Sequence, residues 1–266
     1  MKLKSRFTKS VLPAMMFVSA FALTNLHAID GTEIMQNSYD VEQPAFTKAA
    51  VQMVLTTKNG AKETRNVGEY GREKNDLSDM VMIFLSPASV KDTRFLQKEN
   101  KDADDDKWIY LPSLRTTRRI ASSDGSKPFV GTDFSYDDLS TREVDEDTHE
   151  LLREETKGAF DCYVVKSTPV DPKDSQYLYR VSWVDKKTWI PIFIELYDKK
   201  GNLEKTSEIK RIEQKTGNST YNIPMEQIMT NVQTGHSTSL KIVNIEVDKP
   251  LADGYFTPNF LNTGRL

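Results

Sequence analysis

Three arginines, Arg115, Arg118 and Arg119, form the one concentrated basic group that follows the first residues of the chain. They come directly after the apolar run Trp108–Leu111, and an arginine beside an apolar surface can pair with a phosphate or bond to a backbone carbonyl. The alternative is a solvated strand edge with one arginine stem lying along apolar neighbours. If Leu114–Ile120 is extended, Arg118 falls on the apolar face, so it is the best of the three candidates for an anion partner.

Motifs for catalysis and metal binding are missing from the sequence. It has no glycine-rich phosphate loop, G-x-S-x-G or H-E-x-x-H segment, and no CxxC or histidine cluster suited to zinc. The acidic run Asp102–Asp106 begins like a calcium loop, but Lys107 stands where glycine is needed and Ser113 where glutamate is needed. We interpret this run as a solvated loop tip. The sequence therefore predicts no catalytic residue, no metal site and no cofactor, and we do not expect an enzyme.

Cys162 is the only cysteine, so no disulfide can form within the chain. It lies in the alternating run Phe160–Val165, where it shares a strand face with Phe160 and Val164. A cysteine nucleophile needs a nearby base, and neither His149 nor His236 belongs to a recognisable motif. We expect a buried, unreactive thiol.

Residues 1–28 have the pattern of a secretory signal peptide: four basic residues, the apolar stretch Val11–Leu23, and a small residue, Ala28, before the cleavage point. The apolar stretch is shorter than the roughly 20 residues that span a membrane. Removal of residues 1–28 takes away four basic and no acidic residues, which changes the formal charge from −3 to −7. Such a charge argues against nucleic acid as a general partner. Residues 29–266 are expected to form one domain.

Turn signals such as Asn59-Gly60 separate short runs with period-two alternation, which is typical of antiparallel strands. Helices are expected only near residues 29–37, 133–139 and 250–261. The strands are predicted at 46–57, 62–72, 79–85, 94–98, 107–111, 116–120, 150–156, 159–167, 177–185, 190–198, 203–213, 220–232 and 237–247.

Two of these runs, Met80–Leu85 and Trp108–Leu111, are apolar without alternation. An antiparallel sheet with one wet face alternates. Continuous apolarity therefore predicts that both faces are covered, or that one face lines a dry cavity.

Four segments of the sequence resemble one bacterial family. The first is W-x-Y-L-P with its following arginines, supplied by Trp108–Pro112, and the second is F-x-G-[ST]-D-[FW]-S, supplied by Phe129–Ser135. The third and fourth are Gln233–Thr238 and Phe256–Leu261. The chain is similar in these segments to the outer-membrane lipoprotein-sorting proteins, whose fold is that of LolA, a periplasmic carrier of lipoproteins.

This resemblance implies a mainly β (α+β) fold: a single large curled antiparallel sheet that forms a half-open β-barrel, with a few short helices on its concave side. It also implies a hydrophobic cavity that carries lipid or the acyl chains of lipoproteins across the periplasm toward the outer membrane. Members often accompany inner-membrane transporters of the resistance-nodulation-division type, so a transporter is a further expected partner.

We expect the ligand site to be lined by aromatic residues near the motifs, with one arginine at its rim and a mobile loop over Gly125–Gly131. Ordinary core packing is the alternative reading for each aromatic residue. A second hypothesis is a non-catalytic accessory subunit of a transporter, which uses its sheet for docking. The predicted ligand-binding residues are Phe84, Trp108, Tyr110, Leu114, Arg118, Phe129, Phe134, Tyr136 and Trp183.

Overall fold

The computed structural model describes residues 28–101 and 103–266. The predicted signal peptide therefore lies outside the described residues except for Ala28, and so does Asp102. In the described part of the chain, no helix is both long enough and apolar enough to cross a membrane.

A single antiparallel sheet of thirteen strands makes up most of the described chain. Its order is β6-β5-β4-β3-β2-β1-β13-β12-β11-β10-β9-β8-β7, so β6 and β7, consecutive in sequence, are its two edges and the sheet is not closed. This confirms the predicted mainly β, half-open architecture. The strands are β1 (Phe46–Thr56), β2 (Lys62–Lys74), β3 (Leu77–Ser86), β4 (Arg94–Asn100), β5 (Ala103–Leu111), β6 (Thr116–Arg119), β7 (Asp147–Lys157), β8 (Phe160–Pro169), β9 (Tyr179–Asp185), β10 (Pro191–Tyr197), β11 (Leu203–Thr216), β12 (Thr220–Asn231) and β13 (His236–Val247).

Every predicted strand is present, and the first hairpin turns where Asn59-Gly60 predicts it. Gly60 adopts φ +82°, a conformation that favours glycine, and the Thr57 amide donates to the Ala61 carbonyl. The acidic run is different from the prediction, because Ala103–Asp106 pairs with β4 instead of forming a loop tip. The Asp106 carboxylate pairs with Arg119 and accepts a hydrogen bond from the Asn100 side chain. These contacts allow the acidic run to lie in a strand.

Helices occupy both faces of the sheet. Helix α1 (Gly31–Tyr39) is capped by Asp30, whose carboxylate accepts from the Glu33 amide at 2.9 Å. Gly31 lies so close to β7 that a Cβ there would be 2.7 Å from the backbone of His149. Helix α2 (Pro258–Thr263) packs against β4, β5 and β6. It lies on the opposite face of the sheet from α1.

Residues 120–146, here called the crossing segment, run from edge strand β6 to edge strand β7 and include four short 3-10 turns. We call the face of the sheet that this segment covers the inner face. Phe129, which is 1% exposed, is buried there against Phe84, Phe95 and Tyr136, with ring centroids 5.0 to 6.0 Å apart. This half of the inner face is a filled aromatic core.

The two strands without alternation are covered on both faces, as predicted. On the inner face, Phe84 of β3 and Ile109 of β5 belong to the core around Phe129. On the outer face, their neighbours pack against the C-terminal residues Phe256, Phe260 and Leu261. The sequence of these strands does not alternate because each of their two faces packs against a different part of the chain.

Polar contacts tie the crossing segment to strands across the inner face. Asp133 Oδ2 lies 2.7 Å from His236 Nδ1 and accepts from Thr238 Oγ1 at 2.6 Å, both on β13. Arg65 of β2 donates to the Val130 carbonyl at 2.7 Å. Further contacts join Lys107 to Asp137, Gln97 to the Leu139 carbonyl, and Lys205 to Asp138. The loop over Gly125–Gly131, expected to be mobile, is therefore bonded to β2 through Val130, and the residues that follow it are bonded to β13, β5, β4 and β11.

The carboxyl group of Glu69 faces the inner side and has no such partner among the described residues. Glu69 of β2 lies opposite Ala49 of β1 and Met82 of β3, which are both buried apolar residues. Burial alone raises the pKa of Glu69 from 4.5 to about 7. The charged form of this side chain is therefore unfavourable in the folded state.

We expect the Glu69→Gln variant to show how this carboxyl group makes stability depend on pH. Folding raises the pKa, so the folded state holds its proton more tightly, and stability falls as pH rises from about 4.5 to about 7. The variant should match the wild-type protein near pH 4 and exceed it at pH 8 by on the order of 2 kcal/mol. Urea unfolding at both pH values measures this, with the exposed Glu42→Gln as control. A wild-type stability that does not fall between these pH values would contradict the assignment.

We expect the Asp133→Ala variant to loosen the crossing segment, because His236 and Thr238 lose their shared acceptor. The free energy of unfolding should fall by about 2 kcal/mol, as for other buried hydrogen bonds to charged groups. Trypsin should also cut faster after Lys127 within the segment. Asp145→Ala, an exposed aspartate of the same segment, is the control; equal effects of the two substitutions would show that the Asp133 contacts do not hold the segment.

Candidate functional site

A cavity of about 1100 Å³ lies on the inner face beside the crossing segment. Its walls come from β4 and β5 on one side, from β9 to β12 on the other, and from the loop that contains Asp174–Tyr177. Its size is slightly above that of ordinary ligand pockets, which are roughly 300 to 1000 Å³.

Part of the wall is apolar. Phe134 of the crossing segment packs with Leu196 of β10, Met229 of β12 and Tyr177, and Ile194 lies beside them. Phe134, Leu196 and Met229 are each 4 or 5% exposed. These three side chains pack mainly against one another, and each presents only a small apolar area to the cavity.

Asp138 is the centre of the polar part of the wall. Its carboxylate accepts from the Tyr177 hydroxyl at 2.9 Å and pairs with Lys205 Nζ at 3.2 Å, and both charged side chains are less than a tenth exposed. Burial, strengthened by the nearby Asp138 carboxylate, raises the pKa of Tyr177 far above its usual range. The Tyr177 hydroxyl therefore stays protonated and acts as a donor, and the Asp138 charge is matched by Lys205.

A second charged group lies where the crossing segment meets β7. Asp147 accepts from Arg142 at 2.9 Å and from Arg180 of β9 at 2.8 Å. Burial lowers the pKa of Arg180, and the Asp147 carboxylate opposes this effect. Arg142 also donates to the Asp174 carbonyl at 3.0 Å, so this group joins the loop to the crossing segment.

The wall formed by β4 and β5 is acidic. Burial raises the pKa of both Glu99 and Asp105. Asp105 accepts from the Gln97 side chain at 3.0 Å, and Lys107 pairs with Asp137 at 3.1 Å. The cavity is thus of mixed polarity, whereas the sequence and the family resemblance predict an apolar one.

The predicted ligand-binding residues do not gather at one place. Four lie on the inner face: Phe84, Phe129 and Tyr136 in the aromatic core, and Phe134 at the cavity. Arg118 is exposed on edge strand β6, opposite the inner-facing Ile109. Leu114 is 63% exposed in the turn before β6.

The remaining three predicted residues face the outer side. Trp108 and Tyr110 pack with the C-terminal residues, and Arg94 lies over the Tyr110 ring while donating to the Leu261 carbonyl at 2.6 Å. Trp183 is buried beside Cys162 and Val164 on the outer face of β8 and β9. Their contacts in this structure are those of packed side chains on the face away from the cavity.

The four segments that carry the family resemblance meet in pairs. Phe129–Ser135 contacts Gln233–Thr238 on the inner face through Asp133, and Trp108–Pro112 contacts Phe256–Leu261 on the outer face. Gly131 adopts φ +75°, which explains the glycine between Phe129 and Thr132. The motifs therefore hold the crossing segment and the C-terminal helix to the sheet.

Sequence reasoning did not identify the charged residues of the cavity. Asp138, Arg180 and Lys205 belong to segments far apart in the chain, and no spacing within one segment links them. The alternation pattern offers one signal for such residues. A charged residue on the inward face of a predicted strand, such as Arg180, must have a charged or hydrogen-bonding partner in the folded protein.

Residues that suggest reactivity are bound or buried. Cys162 is fully buried, as predicted, and burial raises the pKa of its thiol to about 11. The ring of His149 lies between the Ser167 hydroxyl and the Val144 carbonyl, each at 2.8 Å. Among the described residues, no three histidine, cysteine or carboxylate side chains are grouped closely enough to hold a metal ion.

Comparison with known proteins supports the family resemblance. A family model described as an uncharacterized protein matches residues 76–263. No match was found among curated proteins. A solved candidate outer membrane lipoprotein-sorting protein domain from Vibrio parahaemolyticus is 32% identical, with a TM-score of 0.81, and the alignment covers 87% of this chain and 98% of that one.

Two further solved structures share the fold. A DUF1329 family protein from Desulfovibrio piger is 27% identical with a TM-score of 0.81, over 87% of this chain and 97% of that one. A LolA superfamily protein from Nitrosomonas europaea has a TM-score of 0.66 at 20% identity, over 88% of this chain and the whole of that one. The chain therefore belongs to the family of outer-membrane lipoprotein-sorting protein domains, and its fold is similar to that of the LolA superfamily protein.

Proposed function

We propose that this protein is a non-catalytic periplasmic carrier that binds the acyl chains of lipoproteins or lipids and carries them toward the outer membrane. The observation that carries the proposal is the cavity of about 1100 Å³ on the inner face of a lipoprotein-sorting fold. In this proposal the acyl chain lies against Phe134, Ile194, Leu196 and Met229. The signal-peptide pattern of residues 1–28 supports export to the periplasm.

The need for such a carrier follows from the cost of hydrating a hydrocarbon chain. Each CH₂ group exposed to water costs about 0.8 kcal/mol, so an ordinary acyl chain costs on the order of 10 kcal/mol. A cavity that covers the chain removes most of this cost without any chemical step. Of the predicted aromatic residues, Phe134 is the one placed to contribute directly, and exposed Arg118 remains a proposed partner for an anionic headgroup at the sheet edge.

Two charged groups of the cavity wall are compatible with hydrocarbon binding, because their charges are paired with each other. Lys205 is matched by Asp138, and Asp147 is shared by Arg142 and Arg180. A buried ion pair with satisfied hydrogen bonds costs far less than an isolated charge. These pairs hold the crossing segment and the Asp174–Tyr177 loop over the cavity, and they leave the apolar part of the wall for the ligand.

A second candidate function is a docking subunit of an inner-membrane transporter. The filled core around Phe129 favours it, since that half of the inner face offers no room for cargo. The two candidates differ in whether the protein binds lipid by itself.

Lipid binding is tested by native mass spectrometry of the protein purified from the periplasm, together with titration of a fluorescent fatty acid. The carrier proposal predicts copurified lipid and saturable uptake of the probe. Bare protein in the spectrum together with no probe uptake would contradict it and leave the docking subunit as the better account.

The Met229→Trp variant tests the position of the site. Its larger side chain should fill the space beside Phe134 and weaken probe binding about tenfold or more. A tenfold loss of affinity corresponds to a loss of only about 1.4 kcal/mol of binding free energy. Ile228→Trp is the matched control, since residue 228 is next in β12 and faces the outer side. If both substitutions weaken probe binding equally, the cavity is not the binding site.

A further inference from the structure

The two ends of the sheet differ in the apolar side chains that they expose. In an antiparallel sheet, the turns lie alternately at opposite ends. One end, which we call the β1–β2 rim, carries the turns that follow β1, β3, β5, β8, β10 and β12. The opposite rim carries the turns that follow β2, β4, β7, β9 and β11.

Five exposed large apolar residues lie at the β1–β2 rim. In the described chain, none of the turns at the opposite rim carries one. Single exposed apolar residues are normal on a protein surface, but these five share one end of the sheet. The five are Leu85 (53% exposed), Leu114 (63%), Val170 (63%), Leu178 (37%) and Val232 (43%).

Basic side chains accompany these apolar residues. Arg115 follows Leu114 directly, and Lys58 lies against Gly235 in the same turn as Val232. Leu178 lies beside Gly201, which follows Lys200. Two carboxylates of the rim, Asp171 and Asp198, accept amide hydrogens within their own turns.

We propose that the β1–β2 rim docks on an anionic lipid bilayer, with these aliphatic side chains inserted among the acyl chains and the lysines and arginine at the headgroups. Separate aliphatic side chains next to cations fit a lipid surface, which combines hydrocarbon with negative charge. A protein partner is less suited to them, because binding hot spots are rich in tryptophan, tyrosine and arginine packed into a continuous surface. The docked rim brings the open sheet to the membrane from which cargo is collected or to which it is delivered.

The test is sedimentation of the protein with vesicles of phosphatidylethanolamine and phosphatidylglycerol. The rim triple variant Leu85→Ser, Val170→Ser and Val232→Ser should bind these vesicles about tenfold or more weakly than the wild-type protein. The control triple is Leu152→Ser, Val243→Ser and Leu266→Ser, three exposed apolar residues away from the rim, and it should bind as the wild-type protein does. Wild-type binding should also decrease when phosphatidylglycerol is omitted.

A wild-type protein that does not sediment with vesicles, or two triple variants with equal affinity, would overturn the proposal. The proposal would also be overturned if the rim bound a soluble protein while the rim triple variant still bound vesicles as the wild-type protein does. Uptake of the fluorescent fatty acid should be unchanged in the rim triple variant, so failure of membrane docking is distinguishable from failure of cargo binding.

A second measurement avoids dependence on the stability of the triple variants. An environment-sensitive dye attached to Leu114→Cys should report a more apolar environment when vesicles are added, whereas the same dye on Leu152→Cys should not. The native Cys162 thiol is buried and does not compete for the dye. Equal responses of the two dyes would count against insertion of the rim.

Discussion

The structure depends on one topological constraint: β6 and β7 follow each other in sequence but form opposite edges of the same open sheet. The crossing segment must therefore traverse the inner face, and it is the element that determines how that face is used. Phe129 fills one half of the face with an aromatic core, and Phe134 marks the beginning of the cavity on the other half. A single stretch of chain thus separates a filled region from a hollow one.

Charged groups hold this segment in place, and that explains why the cavity has a mixed wall. A polar segment that crosses an apolar sheet must find partners for its own backbone and side chains. Asp133 is bonded to β13, Asp138 to β11 and Tyr177, and Asp147 to Arg142 and Arg180. The inner face is consequently built from ion pairs at the anchoring points and from aliphatic surface between them.

Much of the fold could be predicted from the sequence, because period-two alternation and glycine turns are local signals. The uninterrupted apolar run Trp108–Leu111 also indicated coverage on two faces. Alternation does not show which face turns inward, however, and the predicted ligand residues Trp108 and Tyr110 pack against α2 on the face away from the cavity. The partners of Asp138 and Arg180 depend on strand register over long distances in sequence, which no local pattern contains.

The pairing of β1 with β13 has a consequence for the way in which the chain reaches this structure. Within each half, β1–β6 and β7–β13, every strand pairs with its neighbour in sequence, so these meanders can form from local contacts. The seam between them joins the first and the last strand to emerge during synthesis or export. Contacts of long sequence separation form slowly, and until this seam closes each half presents an unpaired strand edge. Such an edge is prone to aggregation, so chaperones that cover strand edges would be expected to assist the folding of this protein.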